Sequence, residues 1–321
     1  MRARWILTFS TLTLGGLALT QAPRRVNPMI DLLAAKKPVF GMYAPSNPRA
    51  GRGTPPADAP PAPAAKTPEQ LVQDALTHTP NDFLFDGSME GNFDRAFPTF
   101  EEFAKRMMAG TVDQRRAHPL AVKTHLIAED PKLAAERIAK QLNLGVSTIT
   151  FVGVESAEEV KTGLAAMRFK SQGGTRPDNV GNAPAYWGMT EAEYKKKADV
   201  WPLNPNGELV NWTIVESKVG LAHLREIAAV KGIGVLVPGA GTLRGVFTEN
   251  GVRDTVAWEG AIQQVLAACK EFKLPCGYPA TERDIEMRMK QGFSVFIINW
   301  GDAGFRAVDI GRGVAGRKDG Q

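Results

Sequence analysis

A chain of 321 residues is long enough for one (β/α)8 barrel, which takes about 250 residues, or for two ordinary domains. Its composition, 43% apolar and 23% charged, is that of an ordinary globular protein and excludes global disorder. The net charge of +5 is modest and the basic residues are scattered without interleaved aromatics, so no nucleic-acid partner is expected.

Arg2 and Arg4 precede an apolar run from Trp5 to Leu19, followed by Thr20, Gln21 and Ala22. That is the layout of a secretory signal peptide over 1–22, and the run is shorter than the ~20 residues a membrane span needs. The expectation is an exported protein, periplasmic or secreted, with no stable membrane anchor after processing. The remaining 23–321 read as a single domain. Its first strand pattern, Val39 to Tyr43, is followed by a stretch dense in Pro, Ala, Gly and Arg, read as an insertion at 45–66 in the first strand-to-helix loop.

Seven further strand patterns follow: Phe83 to Phe85, Leu120 to His125, Thr148 to Val152, Val210 to Val215, Gly234 to Val237, Leu274 to Tyr278 and Val295 to Asn299. Helical patterns lie between them, at Asp130 to Leu142, Ala157 to Met167, Leu221 to Ala229, Trp258 to Phe272 and Thr281 to Lys290, with Gly292 as a stop. Alternation of this kind is the mark of βαβ units. Eight strands, with no Gly-rich phosphate fingerprint after an early one, favour an α/β fold of the closed (β/α)8 TIM barrel type over an open doubly wound sheet. The connection from Phe169 to Leu209 is unusually long; it is expected on the active face, as a lid or a subunit contact using Trp187 and Trp201. The basic run Lys195 to Lys197 reads as a solvated helix face. Cys269 and Cys276 read as two buried free thiols.

In a barrel the C-terminal strand ends carry the chemistry. Glu216 ends an apolar strand, where a carboxylate is costly unless it meets a metal or a donor; the alternative is a structural salt bridge to a barrel lysine. His125 ends Ala121-Val122-Lys123-Thr124, with Lys123 on the same face by the period of two, and is either catalytic or a hydrogen-bonded rim histidine. Asp86 is either catalytic or a loop brace or helix cap. Glu90, Asp94, Asn299 and Asp302 lie in the neighbouring loops, and His78, His118 and His223 read as structural.

Glu216-Ser217-Lys218-Val219-Gly220-Leu221, with Val235-Leu236-Val237-Pro238-Gly239-Ala240-Gly241 some twenty residues on, resembles the metal-glutamate strand and "GPAD" turn of the HpcH/HpaI aldolase/citrate lyase family. Asn27-Pro28, Gly41-Met42-Tyr43, Phe85-Asp86-Gly87 and Asp130-Pro131 resemble that family in order and spacing, so the match runs roughly from Asn27 to Gly316. The resemblance implies a lyase that cleaves 2-oxo acids through an enolate stabilised by a divalent metal (Mg, Mn, Co or Zn), acting on a small oxo acid or aldehyde and assembled as a homo-oligomer, a hexamer or trimer. Glu216 matches the metal glutamate. The metal aspartate falls on Gly241, the carboxylate-binding arginine on His125, and the Glu-His after Asp-Gly on Ser88-Met89, with Glu90 one place beyond.

The site expected from residues and resemblance together has His125, Glu216 and Asp86 as catalytic groups and Glu216, His125 and Glu90 as metal ligands. Lys123, Gly239 and Ala240 are expected to hold substrate. A modified lyase is the first reading, a non-catalytic exported binding protein the second, and a metal-dependent hydrolase the third.

Overall fold

The computed structural model describes residues 25–47 and 64–317. Eight parallel strands build the barrel: β1 (Val39–Tyr43), β2 (Phe83–Asp86), β3 (Leu120–Lys123), β4 (Thr148–Phe151), β5 (Leu209–Val215), β6 (Val235–Pro238), β7 (Gly277–Pro279) and β8 (Val295–Ile298). Each pairs with its neighbour in sequence, and β8 pairs with β1 through Val39 opposite Val295 and Met42 opposite Ile298. Between β6 and β7 the ladder narrows to one bridge, Leu236 opposite Cys276, with the Leu236 N–H donating to the Pro275 carbonyl at 3.0 Å. That bridge closes the ring, so the barrel expected from strand count is the fold observed.

Strand alternation sorts the residues into two apolar layers. Val39, Phe83, Phe85, Ala121, Val152, Val210, Trp212, Ile214, Val235, Val237, Val295 and Ile297 fill the barrel. Their neighbours Phe40, Leu84, Val122, Ile149, Phe151 and Phe296 face the surrounding helices. Trp212 stands at the centre, its ring 5.0 Å from Phe83 edge-on and 5.9 Å from Phe85 in a stack. Gly41 is the complement of this crowding: a Cβ there would lie 2.0 Å from Cζ of Phe83. The short helix Met29–Ala34 lays Met29, Ile30 and Leu33 against the same interior cluster.

The helices start where their caps predict. Asp130 accepts from the Leu133 N–H, Ser156 from Glu159 and Asp254 from Ala257, each opening a helix that packs on the barrel. The Asp130 and Ala157 patterns match helices Pro131–Leu142 and Ala157–Met167. The Leu221 pattern is split into Lys218–Ala222 and Leu224–Ala228. Gly292 ends Ile285–Gln291 at φ 114°, a conformation that favours glycine. The 45–66 insertion leaves from the C-terminal end of β1. Asn47 and Lys66 clasp each other, Nδ2 to the Lys66 carbonyl at 2.8 Å and the Lys66 N–H to Oδ1 at 2.7 Å, so its two feet are adjacent.

Two expectations need correction. The 169–209 connection runs from a helix to a strand, so topology sends it to the N-terminal end of the barrel, away from the active face. It contains helices Ala183–Trp187 and Glu191–Lys197 and a short strand, Val200–Trp201, that extends the sheet beside the start of β5. Trp187 is turned inward, its indole N–H donating to the Gly145 carbonyl at 2.8 Å just ahead of β4. Cys269 and Cys276 are not free: they form a disulfide across the turn that joins helix Thr255–Phe272 to β7. The intervening Lys273, at φ 56°, turns the chain back and brings the two thiols together. Among the described residues no helix is long and apolar enough to cross a membrane, and the Trp5 to Leu19 run lies outside them.

Candidate active site at the barrel mouth

Alternation along the strands points Tyr43, Lys123 and Glu216 into the C-terminal mouth. Glu216 directly follows β5, is 7% exposed, and its Oε1 accepts from the Gly153 N–H at 2.8 Å. Oε2 carries no hydrogen bond to the described residues, and lies over Gly239, where a Cβ would come within 2.5 Å of it. Glycine at 239 therefore makes room for the carboxylate. The salt bridge to a barrel lysine, the structural alternative for Glu216, does not form. Beside it Ser217 donates to Glu155 at 2.6 Å and the His223 Nδ1 meets the Glu155 carbonyl at 2.8 Å, so this neighbourhood is braced by its own pairs.

Across the mouth, Lys123 Nζ donates to Glu90 Oε2 at 2.5 Å. The Lys123 side chain is 17% exposed and that of Glu90 35%. Tyr43 packs edge-on against Phe85 at 5.1 Å between centroids. Burial pushes its phenol above the usual range, with the nearby Lys123 charge pulling the other way and Glu90 and Asp86 adding to the rise. The phenol is thus a proton-bearing donor at neutral pH. Sequence reading passed over Tyr43, although the alternation Val39, Gly41, Tyr43 already points it inward.

The other expected residues are occupied differently. Asp86 accepts from the Ser88 N–H at 2.7 Å and the Ser88 hydroxyl at 2.5 Å, which makes it the brace of the turn after β2. His125 has both ring nitrogens engaged, Nδ1 with the Glu90 carbonyl at 2.8 Å and Nε2 with Glu129 at 2.8 Å, the contacts expected of a hydrogen-bonded rim histidine. The Gly239 N–H donates to the Val215 carbonyl at 3.0 Å and is not available to a substrate. Ala240 accepts the Trp258 indole N–H at 2.9 Å through its carbonyl. Asp94 pairs with Arg137 at 3.2 Å, and Asn299 and Asp302 are exposed. His78 and His118 belong to the opposite end, joined by His118 Nε2 to the His78 carbonyl at 3.0 Å.

These positions do not fit a resident divalent metal. The expected ligands Glu216, His125 and Glu90 do not converge, and among the described residues no group of three or more His, Cys, Asp or Glu side chains could hold an ion. Glu90 is committed to Lys123. Gly241 offers no side-chain donor, and a Cβ built there meets nothing within 4 Å.

No family model matches the chain, and no curated protein does. Solved structures match its fold. An HpcH/HpaI aldolase/citrate lyase family protein from Burkholderia cenocepacia aligns at 19% identity over 85% of this chain and 92% of its own, with a TM-score of 0.62. The HpcH/HpaI aldolase from Desulfitobacterium hafniense aligns at 14% identity over 89% and 95%, TM-score 0.61. Macrophomate synthase aligns at 17% identity over 88% and 85%, TM-score 0.57. The chain thus has the fold of the HpcH/HpaI aldolase/citrate lyase proteins.

Proposed function

We propose that this protein is a carbon–carbon lyase acting on a small oxo acid at the C-terminal mouth of the barrel. The observation that carries the reading is Glu216, a buried carboxylate with one oxygen fixed by Gly153 and the other unbonded, at the strand end that resembles the family's glutamate. Burying such a group without completing its hydrogen bonds costs stability, which makes sense at a site that a ligand completes. In cleavage of a 4-hydroxy-2-oxo acid, Oε2 of Glu216 takes the proton of the C4 hydroxyl. The C3–C4 bond then breaks and its electron pair moves into an enolate, the aldehyde leaves, and the proton returns to C3. Atoms and charge balance with no redox partner.

The test is a panel of 4-hydroxy-2-oxo acids and related oxo acids, assayed for release of the shorter oxo acid and the aldehyde. Turnover that Glu216→Gln abolishes supports the reading; no turnover across the panel, or turnover indifferent to Glu216, overturns it. Gly241 favours a second reading, a binding protein on the same scaffold, because the position has no side chain to coordinate or hold a ligand. Reproducible turnover excludes that reading.

The proposal includes export, supported by the signal-like 1–22 segment and by the Cys269–Cys276 disulfide, a bond that persists in oxidising compartments. It also includes a homo-oligomer, for which the exposed Val252 and Val256 offer apolar contact surface. Cell fractionation and light scattering test the two.

A further inference from the structure

Lys123 is the only basic residue in the eight barrel strands, and it sits at the C-terminal end of β3 with its side chain directed into the mouth. Its stem runs beside Gly87, where a Cβ would lie 3.5 Å from the Lys123 Cδ and 3.7 Å from the Tyr43 Cε1. Lysine stem and tyrosine ring therefore share one wall. An ammonium has three donors, and Glu90 uses one of them. The Tyr43 hydroxyl forms no hydrogen bond with the described residues. A mostly buried ammonium and an adjacent phenol with donors to spare form an anion-binding pair across the mouth from Glu216.

We infer that the Lys123 ammonium, and not a metal ion, is the cation of this site: with the Tyr43 hydroxyl it binds the carboxylate and oxo oxygens of the substrate. The inference deepens the lyase reading and rests on it for the reaction. When the C3–C4 bond breaks, the electron pair ends on the C2 oxygen, and an ammonium held beside that oxygen stabilises the enolate electrostatically. Glu90 is the resting counterion of the ammonium and competes with the substrate carboxylate for its charge. The unfilled space at Gly241 fits this arrangement, since a site with its own fixed cation has no use for a second metal ligand.

Oxalate, a dianion shaped like a pyruvate enolate, is the probe. Calorimetric titration of the full chain in EDTA should show binding, with an affinity unchanged by added Mg2+ or Mn2+. Lys123→Met should weaken it at least tenfold, Lys123→Arg should keep most of it, and Tyr43→Phe should weaken it several-fold. Glu90→Gln, which releases the ammonium from its counterion, should tighten binding, and serves if Lys123→Met does not fold. Binding that appears only with added metal overturns the inference, as does binding indifferent to Lys123→Met or lost in Glu90→Gln. The two readings fail separately. Lysine-dependent oxalate binding without any carbon–carbon cleavage sinks the lyase and leaves the cation site standing; metal-dependent cleavage that Lys123→Met does not affect sinks the cation site and leaves the lyase.

Discussion

The two ends of the barrel treat buried carboxylates in opposite ways. Among the described residues, the buried Asp199 and Glu208 and the half-buried Asp82 at the N-terminal end are closed by partners. Asp199 takes a two-point grip from Arg168, at 2.6 and 3.2 Å, plus Asn204 and its neighbour's backbone. Glu208, almost fully buried, accepts from the Asn27 N–H at 3.0 Å and lies near Lys197 and Arg25. Asp82 is held on both oxygens by Arg317. At the C-terminal end Glu216 keeps an oxygen unbonded and Lys123 keeps donors to spare. Saturated networks hold a fold together, whereas incomplete ones sit where a ligand can finish them.

Substitutions at the two ends should therefore separate stability from activity. The largest effect is expected for Glu216→Gln, which keeps the Gly153 contact but removes the base: activity should fall by ~10²–10⁴-fold. The thermal midpoint should stay close to that of the parent, and a parallel loss of stability would show that Glu216 is structural. Asp199→Asn should do the reverse, destabilising the chain by about 3 kcal/mol in denaturant titration, because Arg168 is left without its counterion. Burial pushes the Asp199 carboxyl up, but Arg168, Asn204 and the Val200 N–H outweigh it and hold it below its usual value. Its stabilising contribution is thus complete above the unfolded carboxylate value and fades as pH falls through the folded one. The parent should lose stability into acid more steeply than Asp199→Asn does.

Smaller effects sharpen the picture. Breaking the disulfide with Cys269→Ser and Cys276→Ser opens a short loop behind β7, for which about 2 kcal/mol is expected in thermal unfolding, with activity of the folded fraction kept. Gly241→Asp puts a carboxylate into open space two residues beyond Gly239, which packs on Glu216, and should cost little stability. Manganese titration should reveal an ion-binding affinity that the parent lacks. A parent that already binds manganese as tightly would place the cation elsewhere than on Lys123.

The barrel was legible in the sequence because period-two apolar runs and helix caps are local signals, and eight of them closed the count. Glu216 was legible for the same reason, as a carboxylate at the end of an apolar strand. The rest depended on contacts between distant segments. Whether His125 was free or engaged turned on the Glu90 carbonyl, thirty-five residues away in sequence. The Cys269–Cys276 bond required a left-handed Lys273 that no pattern announces. The side of the barrel taken by 169–209 could have been read, since any connection from helix to strand returns to the N-terminal end; its length drew attention away from its direction. Lys123 and Tyr43 were both visible by alternation, but their shared wall across Gly87 was not.

The most direct measurement is a crystal structure of the protein grown with oxalate and manganese, with data collected at the manganese edge. Oxalate is expected within hydrogen-bond distance of Lys123 Nζ and the Tyr43 hydroxyl, facing Glu216, with no anomalous peak in the mouth. A manganese peak on Glu216 bridged to oxalate, with Lys123 still paired only to Glu90, would contradict this expectation.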